Sequence, residues 1–341
     1  MRGRLAAPLF LSKYQRNLCK EVKFMGETQQ LSTKAIERKK KWHLRKKYIV
    51  KNKVLYLFVL PAVIYLILFN YLPMYGVQIA FRDYSAREGI LHSPWVGLKH
   101  FRTFFDSYQF TDLVKNTLAL SLYSLVAGFP ISIIFALFLN YIGSPGFKKS
   151  AQMITYAPHF ISNVVFCGML IIFLSSDGVV SQIIQLFGGE AKNFIATPEY
   201  FRHIYVWSGV LKSTGWNSIM YISVLASVPP DLHEAAIVDG ASKFKRMIYI
   251  DLPMLLPTAT ILLILNVGSI MNVGFEKAFL LQNSLNLDYS EIISTYVYKV
   301  GIQGGQFSYS AAIGLFNNVI NFVLLILVNK FSKYLTGTSL W

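Results

Sequence analysis

The chain has 341 residues, of which 54% are hydrophobic, 15% aromatic and 15% charged, with a formal net charge of +16. So apolar a composition places it in a membrane rather than among soluble domains. Its two cysteines, Cys19 and Cys167, are too few and too separated for a metal site, and a disulfide between them is not expected.

Residues 1–53 concentrate the positive charge, with the runs Lys39–Lys41 and Arg45–Lys47 set against Glu21, Glu27 and Glu37. A basic tail can mean nucleic acid, but this one abuts a span and carries no nucleic-acid fold signature. The positive-inside rule reads it as a cytoplasmic tail that can touch anionic lipid headgroups. No apolar core with a small-residue cleavage site precedes residue 48, so the first span is expected to be an uncleaved anchor.

Candidate spans follow at 54–72, 117–141, 151–174, 204–228, 254–275 and 311–330. Most meet the requirement of about 20 predominantly apolar residues for crossing a bilayer. The expected fold class is therefore all-α, a polytopic membrane protein of about six transmembrane helices, with 54–341 as its membrane domain. Lys212 interrupts the fourth span, where a lysine at the helix centre costs roughly 2.5–3.5 kcal/mol. It is read as snorkelling near the outer interface; a charge lining a pathway is the functional alternative. With the N-terminus inside, six spans return the C-terminus to the inside. Loops 142–150 and 229–253 are then cytoplasmic, and 73–116, 175–203 and 276–310 external.

The loop around EAAIVDGASKFKRMIYIDLP, residues 234–253, carries the densest local signals. Pro229 and Pro230 suit the first turn of a helix, where a missing N–H costs nothing. Asp231 and Glu234 have the N-cap/N3 spacing of a capping box, and Gly240 offers a left-handed stop. Leu232, Ala235, Ala236 and Asp239 fall on one helical face. Ser242 can cap a second short helix, expected to finish before Pro253. Asp239 opposes the helix dipole, which points either to a compensating contact with Lys243, Arg246 or a partner, or to a solvated surface aspartate. A short helix with an alanine face, displayed on a membrane protein, reads as a plug for a groove on a partner.

Glu234, Ala235, Ala236, Gly240, Ile250, Leu252 and Pro253 match, without departure, the spacing of the EAA loop of ABC-importer permeases. The chain therefore resembles the inner-membrane subunit of a binding-protein-dependent importer. GLKHF at 97–101, KNTL at 115–118, TYAPHFIS at 155–162 and GW at 215–216 extend the resemblance, to the maltose-permease-like group, over most of the chain beyond the tail. NVGFEKAFLL at 272–281, TYVYKVGI at 295–302, FSYSAAIGLFNNVINF at 307–322 and the terminal Ser339-Leu340-Trp341 are similar to the oligosaccharide and polysaccharide branch, which includes alginate and rhamnogalacturonan-fragment importers.

The resemblance implies a type I importer fold in a bacterial cytoplasmic membrane, beside a second permease subunit in a heterodimer. It also implies two cytoplasmic ATPase subunits, an extracellular solute-binding protein and a carbohydrate substrate. Glu234, Ala235, Ala236, Asp239, Gly240, Ile250, Leu252 and Pro253 would couple the chain to the ATPase. No cofactor, metal or catalytic site is expected on the chain itself. The stretch GSPGFKKS at 143–150 lacks phosphate-loop spacing and carries Pro145, so ATP and Mg belong to the partner.

A sugar passage needs amides, hydroxyls and aromatic faces. Trp216, Asn217, Tyr221, Asn266, Asn272, Asn317, Asn318 and Asn321 supply them, with Asn217/Tyr221 and Asn317/Asn321 each four apart on a helix. Intramembrane asparagines also cement helices, and Trp or Tyr also mark interfaces. His159 beside Pro158 is read as a packing or kink feature rather than a proton relay. Other classes stay on the table: an ion-coupled secondary transporter would need buried acid or histidine relays. A membrane enzyme would need a histidine cluster or paired carboxylates, a scaffold leaves the EAA loop unexplained, and a peptide or amino acid could replace the sugar.

Overall fold

The computed structural model describes Trp42, Tyr48, residues 51–337 and residues 339–340. The basic segment expected over 1–53, and Cys19 with it, lies almost wholly outside those residues. The chain divides into two compact units, Met1–Tyr75 and Gly76–Trp341, which are described separately.

In the first unit, α1 (Lys53–Leu66) runs on through a π turn at Ile67–Tyr71 and the turn Leu72–Met74. It is apolar on every side and buries none of its side chains within the protein, the pattern of a helix whose solvent is lipid.

The second unit is built on α2 (Phe110–Asn140), α3 (Pro145–Tyr156), α4 (Asn163–Phe173), α5 (Phe201–Leu225), α6 (Pro230–Val238), α7 (Leu252–Gly268), α8 (Phe275–Leu281) and α9 (Phe307–Thr336). Among the described residues of the whole chain, four helical runs are long and apolar enough to cross a membrane: Lys53–Phe81, Phe110–Asn140, Lys243–Gly268 and Phe307–Tyr334. A fifth crossing is a bent pair, in which Pro145–Phe160 and Asn163–Phe173 meet at 99°. The 25 residues of α5, at about 1.5 Å each, reach across the ~30 Å of a hydrocarbon core and complete a six-span plan.

Two expected boundaries are corrected. The sequence predicts one continuous span over 151–174, but the chain turns between Phe160 and Asn163. Pro158 sits in a 3-10 turn, Ala157–Phe160, and the Ser162 side chain accepts from the Val165 amide, so α4 starts afresh in a new direction. The helix capped by Ser242 does not stop before Pro253. Lys243–Arg246, a π turn at Met247–Asp251 and α7 form one run of 26 residues. The wider turn ahead of Pro253 accommodates the hydrogen bond a proline cannot make. That run ends at Gly268 rather than 275, because Asn321 on α9 accepts from the Met271 amide at 2.9 Å and holds the chain in a non-helical path.

Packing runs the length of the bundle. At one end Leu120 of α2, Phe201, Tyr205 and Val206 of α5, and Ala278 and Leu281 of α8 share a core. At the other, Ala136 and Leu137 of α2 meet Tyr221 and Leu225 of α5 and Leu255 and Ala259 of α7. The Asn-Thr pair that opens the expected permease core is buried and fully engaged. Asn116 Nδ2 donates to the carbonyls of Asp288 and Glu291 at 2.8 and 3.2 Å, and its Oδ1 accepts from Arg202 at 2.8 Å. Thr117 Oγ1 accepts from the Ile293 amide at 3.0 Å. These bonds fix the 286–297 segment over the start of α2 and satisfy carbonyls that would otherwise be costly.

Gly215 lets α5 lie directly against α3, since a Cβ there would stand 2.3 Å from the Thr155 carbonyl oxygen. Gly215→Val is expected to destabilise the chain by about 1–3 kcal/mol through overpacking. The measurement is the thermal midpoint of the detergent-solubilised protein; an unchanged midpoint would show that the two helices do not meet there.

Candidate functional site

The loop helix α6 begins at Pro230, with Pro229 at its cap position and no side-chain cap bond. The expected Asp231–Glu234 capping box therefore does not form. The two prolines preset the entry, and Asp231 falls inside the first turn, where its charge still favours the positive end of the dipole. The other end matches expectation. Gly240 takes φ 73°, the Ala241 amide reaches back to the Ala236 carbonyl at 2.8 Å, and the Gly240 amide reaches Ile237 at 3.0 Å. That is a Schellman stop, and it needs a residue without a Cβ penalty at positive φ. Ser242 then accepts from the Lys245 amide at 3.3 Å and starts the long Lys243–Gly268 run.

No side chain of α6 is buried. Leu232, Ile237 and Val238 are 47%, 55% and 88% exposed, Glu234 and Ala235 are exposed, and Ala236 is half-buried. Exposed apolar area on this scale, on so short a helix, marks a surface for a partner. Asp239 is exposed as well and, among the described residues, makes no ion pair; Arg246 lies instead over the Tyr141 ring, 5.9 Å from its centroid. Ile250 and Leu252 are half-buried, with Leu252 against the core at this end, and Pro253 is exposed.

The residue that holds this loop was not singled out from the sequence. Asp251 is fully buried. Tyr141 donates its hydroxyl to Oδ2 at 2.6 Å, and His233 Nε2 stands 3.2 Å from Oδ1. One carboxylate thus joins α6 through His233, the end of α2 through Tyr141, and the π turn that leads into α7. Burial, and then the bond to Asp251, push the Tyr141 phenol well above its usual range, so it remains a donor throughout physiological pH. The available signal was a lone acid inside the apolar run Met247–Leu256.

A polar cavity of about 330 Å³ opens between α2, α5 and α7 and the 269–277 segment. Tyr205, Gly209, Ser213 and Asn217 line it at intervals of four along α5, facing Ser121, Ser124 and Gly128 of α2. Of the residues proposed for a pathway, Asn217, Asn266 and Asn272 lie in its wall. Trp216, Tyr221, Asn317 and Asn321 do not. Trp216 stacks on His159 at 4.3 Å with the planes 2° apart, so His159 is a packing element. Tyr221 is buried in the core against Phe129. Asn317 and Asn321 both donate to Asn272 Oδ1, at 2.9 and 3.1 Å, cementing α9 to the cavity wall, while Asn318 is exposed.

Lys212 is engaged by α4. Its ammonium donates to Asn163 Oδ1 at 2.5 Å and lies over the Phe166 ring at 5.3 Å, both on α4. Of the cavity residues missed from sequence, Tyr205, Gly209 and Ser213 had an available signal in the period-four stripe along α5; Lys277, on α8, had none of that kind.

Membrane-spanning helices with a part-polar cavity between α2, α5 and α7, and an exposed helix on one connecting loop, have the features of a membrane permease. The chain belongs to the family of binding-protein-dependent transport system inner membrane components, whose family-wide pattern matches residues 118–336. It is 42% identical over 286 residues to the polygalacturonan/rhamnogalacturonan transport system permease protein YteP of Bacillus subtilis (strain 168), covering 84% of this chain and 89% of that one. Among solved structures it resembles a chain of a bacterial ABC transporter involved in import of the acidic polysaccharide alginate, with a TM-score of 0.79 and 40% identity, covering 85% of this chain and 98% of the other. It also resembles a chain of a bacterial alginate ABC transporter in complex with an alginate pentasaccharide-bound periplasmic protein, with a TM-score of 0.80 and 39% identity, covering 86% and 99%.

Removing the buried carboxylate strands both of its partners. Asp251→Ala is expected to cost about 1–3 kcal/mol through the lost acceptor of the Tyr141 hydroxyl and to loosen the loop before the bundle. Hydrogen exchange is the measurement: amides of residues 230–250 should exchange much faster while those of α5 do not, and unchanged loop exchange would contradict the tie.

Proposed function

We propose that this permease imports oligosaccharides derived from an acidic polysaccharide, received from an extracellular solute-binding protein and driven by a cytoplasmic ATPase docked on α6. The observation that carries the reading is α6 itself: an exposed apolar helix tied to the bundle through the buried Asp251. The names of the relatives supply the substrate class. In this reading Glu234, Ala235, Ala236, Asp239 and Gly240 meet the ATPase, and Ile250, Leu252 and Pro253 set the root of the loop. Asn217, Asn266 and Asn272 offer amides to sugar hydroxyls inside the cavity.

The mechanism follows from the ties. ATP and Mg are held by two partner subunits, whose closure displaces α6. Because His233, Asp251 and Tyr141 bind α6 to the ends of α2 and α7, the push is delivered to the spans rather than dissipated in the loop. A second permease subunit completes the pathway, and the two halves rock as rigid bodies. Both termini lie in the cytoplasm, with residues 1–53 as a basic tail along anionic lipid. An ion-coupled transporter would place buried acids along its pathway; Asp251 is instead engaged by His233 and Tyr141 at the root of the loop.

The test is uptake in proteoliposomes holding the chain with its second permease and ATPase. Binding protein loaded with a uronic-acid oligosaccharide should raise ATP hydrolysis severalfold and drive accumulation that ionophores do not affect. Accumulation without ATP, abolished by an ionophore, would contradict the reading. In the same system Ala235→Trp should lower stimulated hydrolysis by about tenfold or more, with membrane insertion unchanged. Full stimulation in that variant would remove α6 from the contact.

A further inference from the structure

Lys277 is the one charged side chain in the wall of the cavity. Its ammonium donates to the Tyr205 carbonyl oxygen at 2.6 Å and sits 4.6 Å from the centroid of the Tyr205 ring. Gly209, one turn further along α5, leaves it room: a Cβ there would stand 3.1 Å from Nζ. Among the described residues the ion pairs are Lys99–Asp83 and Lys299–Glu291, with His100 beside Asp83 and His233 beside Asp251 pairing when the imidazole is protonated. None of them neutralises Lys277. Its neighbour Glu276 is taken up elsewhere, accepting from Asn163 Nδ2 at 2.6 Å.

An ammonium has three donors, and the structure shows an acceptor for one. Withdrawing such a cation from water without a counter-ion is costly. The remaining wall mixes hydroxyls and amides (Ser124, Asn217, Asn272) with apolar side chains such as Leu125, Phe129 and Val210, a surface that suits sugar hydroxyls and ring faces but holds no opposite charge. A neutral sugar would leave the ammonium uncompensated; a uronic acid carries the missing charge on its own ring.

We infer that Lys277 is the specificity-determining group of the cavity, donating to the carboxylate of a uronic-acid residue while neighbouring amides hold the sugar hydroxyls. The inference rests on the acidic-oligosaccharide reading above and deepens it by assigning recognition of the carboxylate to one side chain. A lysine that only staples α8 to α5 through the Tyr205 carbonyl would be indifferent to the charge of the ligand.

The experiment uses the complete importer in lipid nanodiscs, without binding protein, and compares trigalacturonic acid with the same trimer after its carboxyls are reduced to alcohols. The native complex should bind the acid about tenfold or more tightly than the reduced trimer. Lys277→Met should abolish that preference and leave the reduced trimer unaffected, and Lys277→Arg should keep it. Should Lys277→Met fail to assemble, acylation of amines in the native complex reads the same contact: trigalacturonic acid should protect Lys277 and the reduced trimer should not. A native complex that binds both trimers equally, or a Lys277→Met complex that keeps the preference or loses both ligands alike, overturns the inference while leaving carbohydrate import standing. Binding of neither trimer would overturn the carbohydrate reading, and this inference with it.

Discussion

A single buried carboxylate ties the exposed loop helix to the membrane helices. Asp251 has no exposure to solvent, and its two oxygens face different helices, Tyr141 at the end of α2 and His233 on α6. Such a group is stable only while its partners stay in place, because an uncompensated charge in the interior is far more expensive than a lost surface contact. The exposed loop helix and the membrane helices are therefore not independent parts. In the coupling proposed above, a force applied to the apolar face of α6 passes to α2 and α7 through the close His233–Asp251 contact and the Tyr141–Asp251 hydrogen bond.

The same economy of polar groups shapes the interior of the bundle. Along α5 the small or hydrogen-bonding side chains in the cavity wall recur every fourth residue, from Tyr205 to Asn217, with Val206 and Val210 beside them. On the facing wall Asn272 serves both sides, lining the cavity while accepting from Asn317 and Asn321. The asparagines of α9 thus stiffen the wall that a solute would touch. Asn116 does the corresponding work at the far end, where it gathers Arg202 and the carbonyls of Asp288 and Glu291. Rigid walls and a rigid lever are what a rocking transporter requires, since only a body that does not deform can convert a push at one end into opening at the other.

What could be read from the sequence is what the chain decides locally. The left-handed stop at Gly240 and the cap at Ser242 depend on a few neighbouring residues, and both stand where the spacing puts them. The apolar spans are legible for the same reason, since length and hydropathy are properties of a window. The turn between Phe160 and Asn163 was hidden because Pro158 and Ser162 sit inside an apolar run whose average conceals them. The contact of Lys212 was hidden because its partner, Asn163, lies 49 residues away. Asp251 was overlooked because His233 and Tyr141 come from two other segments, and Tyr221 reads as a pathway residue until α2 is seen packed over it. Polar residues in a membrane sequence announce that they need a partner; only the fold says whether that partner is another helix or the open cavity.

The central claim is that α6 and the spans beside it move as one body. It is tested most directly by the distance between spin labels at Val238, on α6, and Phe138, on α2, both exposed positions, measured by double electron–electron resonance in the complete importer. The distance distribution should be the same in the nucleotide-free and ATP-bound states. A distribution that shifts when ATP binds would show the loop helix hinging on its own, and the lever would be lost.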